Sequence, residues 1–210
     1  MRLSRIKRKK IELKLGEFSY LKEYGPKHHV IKKIFYESFR IMIVASLLSS
    51  FGGLGMEFVK KNLISLLPLV ILLPSMNDAI GNFGTIMASR FSTLVYEAKR
   101  KDFLKRHLRY LLKEIIPAAL VIAFFASSCA IALASLKGFS ALPIIYVKII
   151  TIAVLDMLVI VGLLFLITVK AGLHYYKAGR DPSNYLIPLT TSIADLGNML
   201  LLTLLIILFF

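Results

Sequence analysis

Long apolar runs, each broken by a short polar or basic stretch, recur along the whole chain. A membrane-spanning helix needs about 20 mostly apolar residues, and five segments reach that length: Ile34–Val59, Leu63–Ser89, Ile115–Leu136, Leu142–Val169 and Tyr185–Phe210. The pattern predicts an all-α integral membrane protein with five transmembrane helices. Between the second and third runs, residues 90–114 carry apolar positions at Phe91, Leu94, Val95, Phe103, Leu104, Leu108 and Leu111 among many cations. That spacing reads as an amphipathic connector lying along the inner membrane face. The organisation expected is therefore a basic segment over 1–33 and one transmembrane domain over 34–210.

Composition agrees with this reading. Hydrophobic residues make up 57% of the 210 positions, and mean hydropathy is +0.74; soluble domains lie nearer 45–50% apolar. The formal charge of +15 does not point to nucleic acid, because the cations are confined to a few segments between the apolar runs. Eleven Lys/Arg fall in residues 1–33, eight in 90–114 and three in 170–184, against Lys60, Lys61 and Lys137 in the other loops. The positive-inside rule then places the N-terminus in the cytoplasm and the C-terminus outside. It predicts a multi-pass protein of the cell membrane. The basic segment reads as an anchor that touches anionic lipid, or as a plug over a cytoplasmic pore mouth. Cys129 is the lone cysteine and sits in an apolar run, so no internal disulfide is expected.

Polar residues inside the runs carry the chemistry. A carboxylate near the bilayer centre costs roughly 3 kcal/mol on insertion scales, yet Asp78, Asp156 and Asp195 lie deep within three different segments. At about 1.5 Å per residue they fall roughly 22, 21 and 15 Å along their spans. With alternating directions, all three come to lie between the midplane and the inner leaflet. Pro74, Asp78, Asn82 and Thr85 form one helical stripe, and Thr191, Asp195 and Asn198 another. Asp156 has only Ile149, Ile152 and Ile160 on its face; a role in the pathway and a pairing with Lys148 or a hydroxyl are both open. The donors are carboxylate, amide, hydroxyl and carbonyl oxygen, a set suited to hard cations and to Mg²⁺ held through its water shell. His28, His29, His107 and His174 all lie outside the spans.

"LLPSMNDAIGNFGTIMASRFST" and "DPSNYLIPLTTSIADLGNMLLL" together resemble the MgtE family of magnesium transporters and their eukaryotic solute-carrier relatives. The match rests on Gly81-Asn82, on Ala88-Ser89-Arg90-Phe91-Ser92-Thr93, and on Asp181-Pro182, Thr190-Thr191 and Asp195. The resemblance implies a homodimer with its pore at the two-fold axis, where Asp195 of each subunit meets at the selectivity site and Asn82 shapes the wall. Asp78 departs from the bacterial pattern, which often has a small residue there. Larger members also carry Mg²⁺-sensing cytoplasmic domains, in place of which this chain has its basic segment. The expected function is divalent cation transport, Mg²⁺ first, by a channel-like or ion-coupled route. The ion is cargo; no cofactor and no enzymatic activity are expected. Asp195, Asp78, Asn82, Thr191 and Asp156 are the expected metal-site residues. Two rivals are a non-transporting scaffold or regulatory subunit and an intramembrane aspartyl protease, although none of the three acids follows a glycine.

Overall fold

A computed structural model describes residues 27–97 and 101–210, without the side chains of 27–34, 37, 38, 101 and 102. Most of the basic segment, residues 1–26, lies outside the described residues, and so do both of its expected roles. The described residues form, in order, α1 (Lys27–Phe58), α2 (Lys60–Ser65), α3 (Leu67–Glu97), α4 (Lys101–Leu136), α5 (Pro143–Lys177) and α6 (Pro182–Phe209). The first long helix thus begins inside the basic segment rather than at residue 34.

Their ends are written locally. After α4 and α5 the chain turns through Gly138 (φ 85°) and Gly179 (φ 69°), where the left-handed backbone favours glycine. Phe139 N–H reaches back to Ala134 O at 3.1 Å and Arg180 N–H to Tyr175 O at 3.1 Å, closing both helices. Pro143 and Pro182 open the next helices at positions where no amide is needed. Asp181 caps α6 by accepting from Ser183 N–H at 2.9 Å.

Among the described residues, four helices are long and apolar enough to cross a membrane: α1 from Phe39, α4 from Phe103, α5 and α6. The fifth expected span, α3, has 31 residues, ample length at about 1.5 Å per residue. Its hydropathy falls short because Asn77, Asp78 and Asn82 sit in its middle. Its two faces explain how it is accommodated. Leu69, Leu72, Met76, Ile80, Phe83 and Met87, at steps of three and four, are buried in the main core, while Pro74, Asp78 and Asn82 on the opposite side are exposed.

Helix α3 packs against α4, α5 and α6, α5 packs against α4 and α6, and α1 leans chiefly on α6. Ala119, Ala123, Ala126 and Ala130 bring α4 close to the core, the small-residue packing usual between membrane helices. Outward surfaces are apolar: Val121, Phe125, Leu166 and Leu208 are all more than half exposed. Only 17% of the apolar window of α1 is buried, which leaves most of its girth for lipid or a second copy.

The connector expected along the membrane face takes another form. Residues 90–97 continue α3, and α4 starts at Lys101. Phe91, Val95 and Leu108 are buried against Leu186 of α6 in a second apolar cluster, so this stripe faces protein instead of lipid. Gly172 on α5 makes room for it. A Cβ there would overlap the Phe91 ring and stand 3.0 Å from Leu186 Cδ1. Gly172→Ala is therefore expected to destabilise the bundle by about 1–3 kcal/mol, the usual range for overpacking, seen as a lower melting temperature in detergent. Combining it with Phe91→Leu should recover part of that loss; an unshifted melting curve for Gly172→Ala would show the notch to be unimportant.

Candidate cation site

Helix α3 presents Pro74, Asn77, Asp78, Gly81 and Asn82 to a cleft of about 360 Å³, and α6 closes its other wall with Thr191 and Asp195. The two aspartates are far apart in sequence and share this space because α3 and α6 pack along their middles. Counted at about 1.5 Å per residue, Asp195 lies roughly 20 Å from the start of α6, near the centre of the helix.

Asp195 is held at both oxygens. Asn77 Nδ2 donates to Oδ1 at 2.7 Å, and Ser49 Oγ on α1 donates to Oδ2 at 2.8 Å. Behind them, Asn198 Nδ2 donates to Asn77 Oδ1 at 3.0 Å, which fixes the amide so that its N–H points at the carboxylate. Three helices thereby orient one carboxylate. An ionised carboxylate offers about four lone-pair directions, so two remain for a cation or its water. Asp78 accepts from Asn82 Nδ2 at 3.1 Å, one turn along α3.

Thr191 Oγ1 donates to Ile187 O and to Pro188 O, each at 3.0 Å. Its proton is thus turned away and its lone pairs are free for the cleft. Ser192 Oγ also donates to Pro188 O, at 2.7 Å. Helices α3 and α6 run unbroken through Pro74 and Pro188. Amide, hydroxyl and carboxylate side chains line the cleft together with Pro74 and Gly81.

The third acid requires a correction. Asp156 is 0% exposed and lies among the buried Ile152, Ala153, Met157 and Ile160 of the main core. Neither carboxylate oxygen has a hydrogen-bond partner among the described residues, and it does not line the cleft. Lys148, one of its expected partners, instead donates to Phe209 O at 2.6 Å. The height of Asp156 along α5 suits the cleft, but its bearing around the helix points it into dry packing. Asp195, Asp78, Asn82 and Thr191 line one cleft; Asp156 does not join them.

Asn77, Ser49 and Asn198 complete the site. Asn77 stands one residue, about 100° of helical rotation, from Asp78, and so bridges to α6 instead of sharing the exposed stripe. Ser49 lies in the run "ASLLSS", where nothing marks one serine above its neighbours. Among the described residues, no three His, Cys, Asp or Glu side chains group closely enough to cage a metal. Two carboxylates with amide and hydroxyl oxygens suit a cation that keeps much of its water, as Mg²⁺ does.

The two stretches that carry the family likeness also touch. Ser92 Oγ, at the end of the first, donates to Asp181 Oδ1, at the start of the second, at 3.1 Å. Comparison with curated proteins and with solved structures finds no match. Residues 73–205, from within α3 to near the end of α6, match the family described as MgtE, divalent cation transporter, and on that match across more than half of its length the chain belongs to the MgtE family.

Proposed function

We propose that the chain carries divalent cations, Mg²⁺ above all, across the cell membrane along the Asp78/Asp195 cleft. One observation carries the reading: two acids from separate helices share an open polar cleft at mid-bundle, with Asn77, Asn82 and Thr191 beside them. The cost of holding carboxylates in a bilayer is met when they face water or a cation. Mg²⁺ binds readily through one or two carboxylates while retaining several waters. In this reading Asp195 is the main site, while Asp78 raises local cation concentration and Asn82 and Thr191 hydrogen-bond to the hydration shell.

The open side of the cleft and the exposed apolar girth of α1 support a homodimer, in which a second copy closes the pathway and brings two Asp195 carboxylates together. In this arrangement α3 is the fifth span. Its polar stripe faces the pathway, and the distribution of Lys/Arg puts the N-terminus in the cytoplasm. The basic N-terminal stretch then meets anionic lipid.

Proteoliposomes loaded with a Mg²⁺-sensitive dye test this reading. Each charge crossing gains about 2.3 kcal/mol per 100 mV, so a divalent ion is driven at about twice that. Uptake that follows an imposed potential, with no other gradient, identifies a channel-like route. Uptake that needs a Na⁺ or H⁺ gradient identifies exchange. Competition by Mn²⁺, Co²⁺ and Ca²⁺ ranks the ions, and absence of uptake for all of them under every gradient refutes the proposal.

A further inference from the structure

A second pocket, of about 430 Å³, opens between α1 and the turn that joins α5 to α6. It is lined by Tyr36, Arg40, Ile41, Val44, Tyr175, Arg180 and Tyr185. The Arg180 guanidinium sits 5.5 Å from the Tyr185 ring centroid. Tyr185 in turn stacks on Tyr175 at 4.3 Å with 13° between planes. The Tyr185 ring thus steadies the Arg180 guanidinium at the pocket, and a guanidinium so placed suits bidentate binding of a phosphate. Among the described residues neither Arg40 nor Arg180 forms an ion pair, the one such pair being Lys60–Glu57. Two cations and three tyrosines thus converge on a concave space that holds no counter-charge among the lining residues.

We propose that this pocket binds the phosphodiester headgroup of an anionic phospholipid. What favours a lipid over a free anion is the surface leading away from it. Along α1, Tyr36, Val44, Leu47 and Phe51 are each at least half exposed and follow the helical spacing of one stripe. A headgroup seated on Arg40 and Arg180 would lay its acyl chains along that stripe. Basic pockets between helices on the inner side of a membrane are the usual place for such headgroups. The proposal rests on the membrane topology given above only for which leaflet supplies the lipid.

The test is binding by the purified full-length protein in neutral detergent, measured by native mass spectrometry with phosphatidylglycerol. Phosphatidylcholine and inorganic phosphate serve as alternative probes. The parent should retain phosphatidylglycerol and not phosphatidylcholine, with inorganic phosphate competing poorly. The double variant Arg40→Gln/Arg180→Gln should bind about tenfold more weakly, as expected when charge-assisted phosphate contacts are lost. The control Lys105→Gln/Arg106→Gln removes two exposed cations from α4 and should change binding less than about threefold. Arg40→Lys/Arg180→Lys keeps the charge and should fall between. Equal losses in the control pair would mean diffuse attraction, and inorganic phosphate competing as well as the lipid would mean a free-anion site; either result overturns the proposal. Circular dichroism confirms that the variants are folded. Because no ion movement enters the measurement, a negative transport assay leaves this inference standing, and the reverse holds too.

Discussion

Proteoliposomes carrying Asp195→Asn are expected to need at least roughly thirtyfold more divalent cation for the same uptake as the parent. A unit charge about 4 Å from a doubly charged ion contributes about 2 kcal/mol even at the dielectric constant of bulk water, and 1.4 kcal/mol is a factor of ten. Two such residues facing each other across a dimer would double the energy lost. Asparagine is the informative replacement because it preserves shape and hydrogen bonding. Its amide oxygen can still accept from Asn77 Nδ2, and its N–H₂ can donate to Ser49 Oγ, which needs only to rotate its proton. The melting temperature should therefore move little while uptake collapses. Parent-like uptake with an intact fold would remove Asp195 from the pathway and with it the cation mechanism proposed here.

The second large effect is expected at Gly52. A Cβ placed there stands 2.9 Å from Met199 Sδ, 3.1 Å from Leu196 Cα and 3.4 Å from Asp195 O. The thioether can swing aside, but the Cα and carbonyl belong to the backbone of α6 and cannot yield without moving the helix. Gly52→Val forces α1 away from α6 at the level where Ser49 reaches Asp195. Overpacking of this kind costs about 1–3 kcal/mol. Gly53, the next residue, has nothing within 4 Å of its added Cβ, so Gly53→Val serves as the matched control. Thermal melting in detergent should separate the two variants clearly, and the cation concentration for half-maximal uptake should shift in Gly52→Val alone. Identical behaviour of the pair would mean that α1 is not seated by this contact.

The physical origin of each feature decided how much of it could be read in advance. Long apolar runs marked where five long helices lie, because hydrophobic length is a property of the segment alone, but not their ends: α4 begins at Lys101, well before Ile115, and α5 runs on to Lys177. The stripe of Pro74, Asp78, Asn82 and Thr85 was equally visible, since helical periodicity fixes which residues share a face. Which way a face points is a different matter. Phe91, Val95 and Leu108 have a spacing that suits lipid and protein alike, and only the notch at Gly172 and the presence of Leu186 decide for protein. Asp156 shows the same gap between height and bearing: its depth along α5 could be counted, but its direction around the axis depends on how four helices settle together. Ser49 could not be distinguished within its run of hydroxyls, because its role comes from a contact made 146 residues away in sequence.

The stretch that defines the family begins at residue 73, after α1 has ended, yet a hydroxyl from α1 rests on the carboxylate at the heart of the cleft. Wherever the ion sits on Asp195, its hold and the seating of that outlying helix become reciprocal quantities: whatever fastens one must tighten or loosen the other by an equal factor. In the cation reading proposed above, a peripheral helix is thereby made a lever on the strength of the grip at the centre.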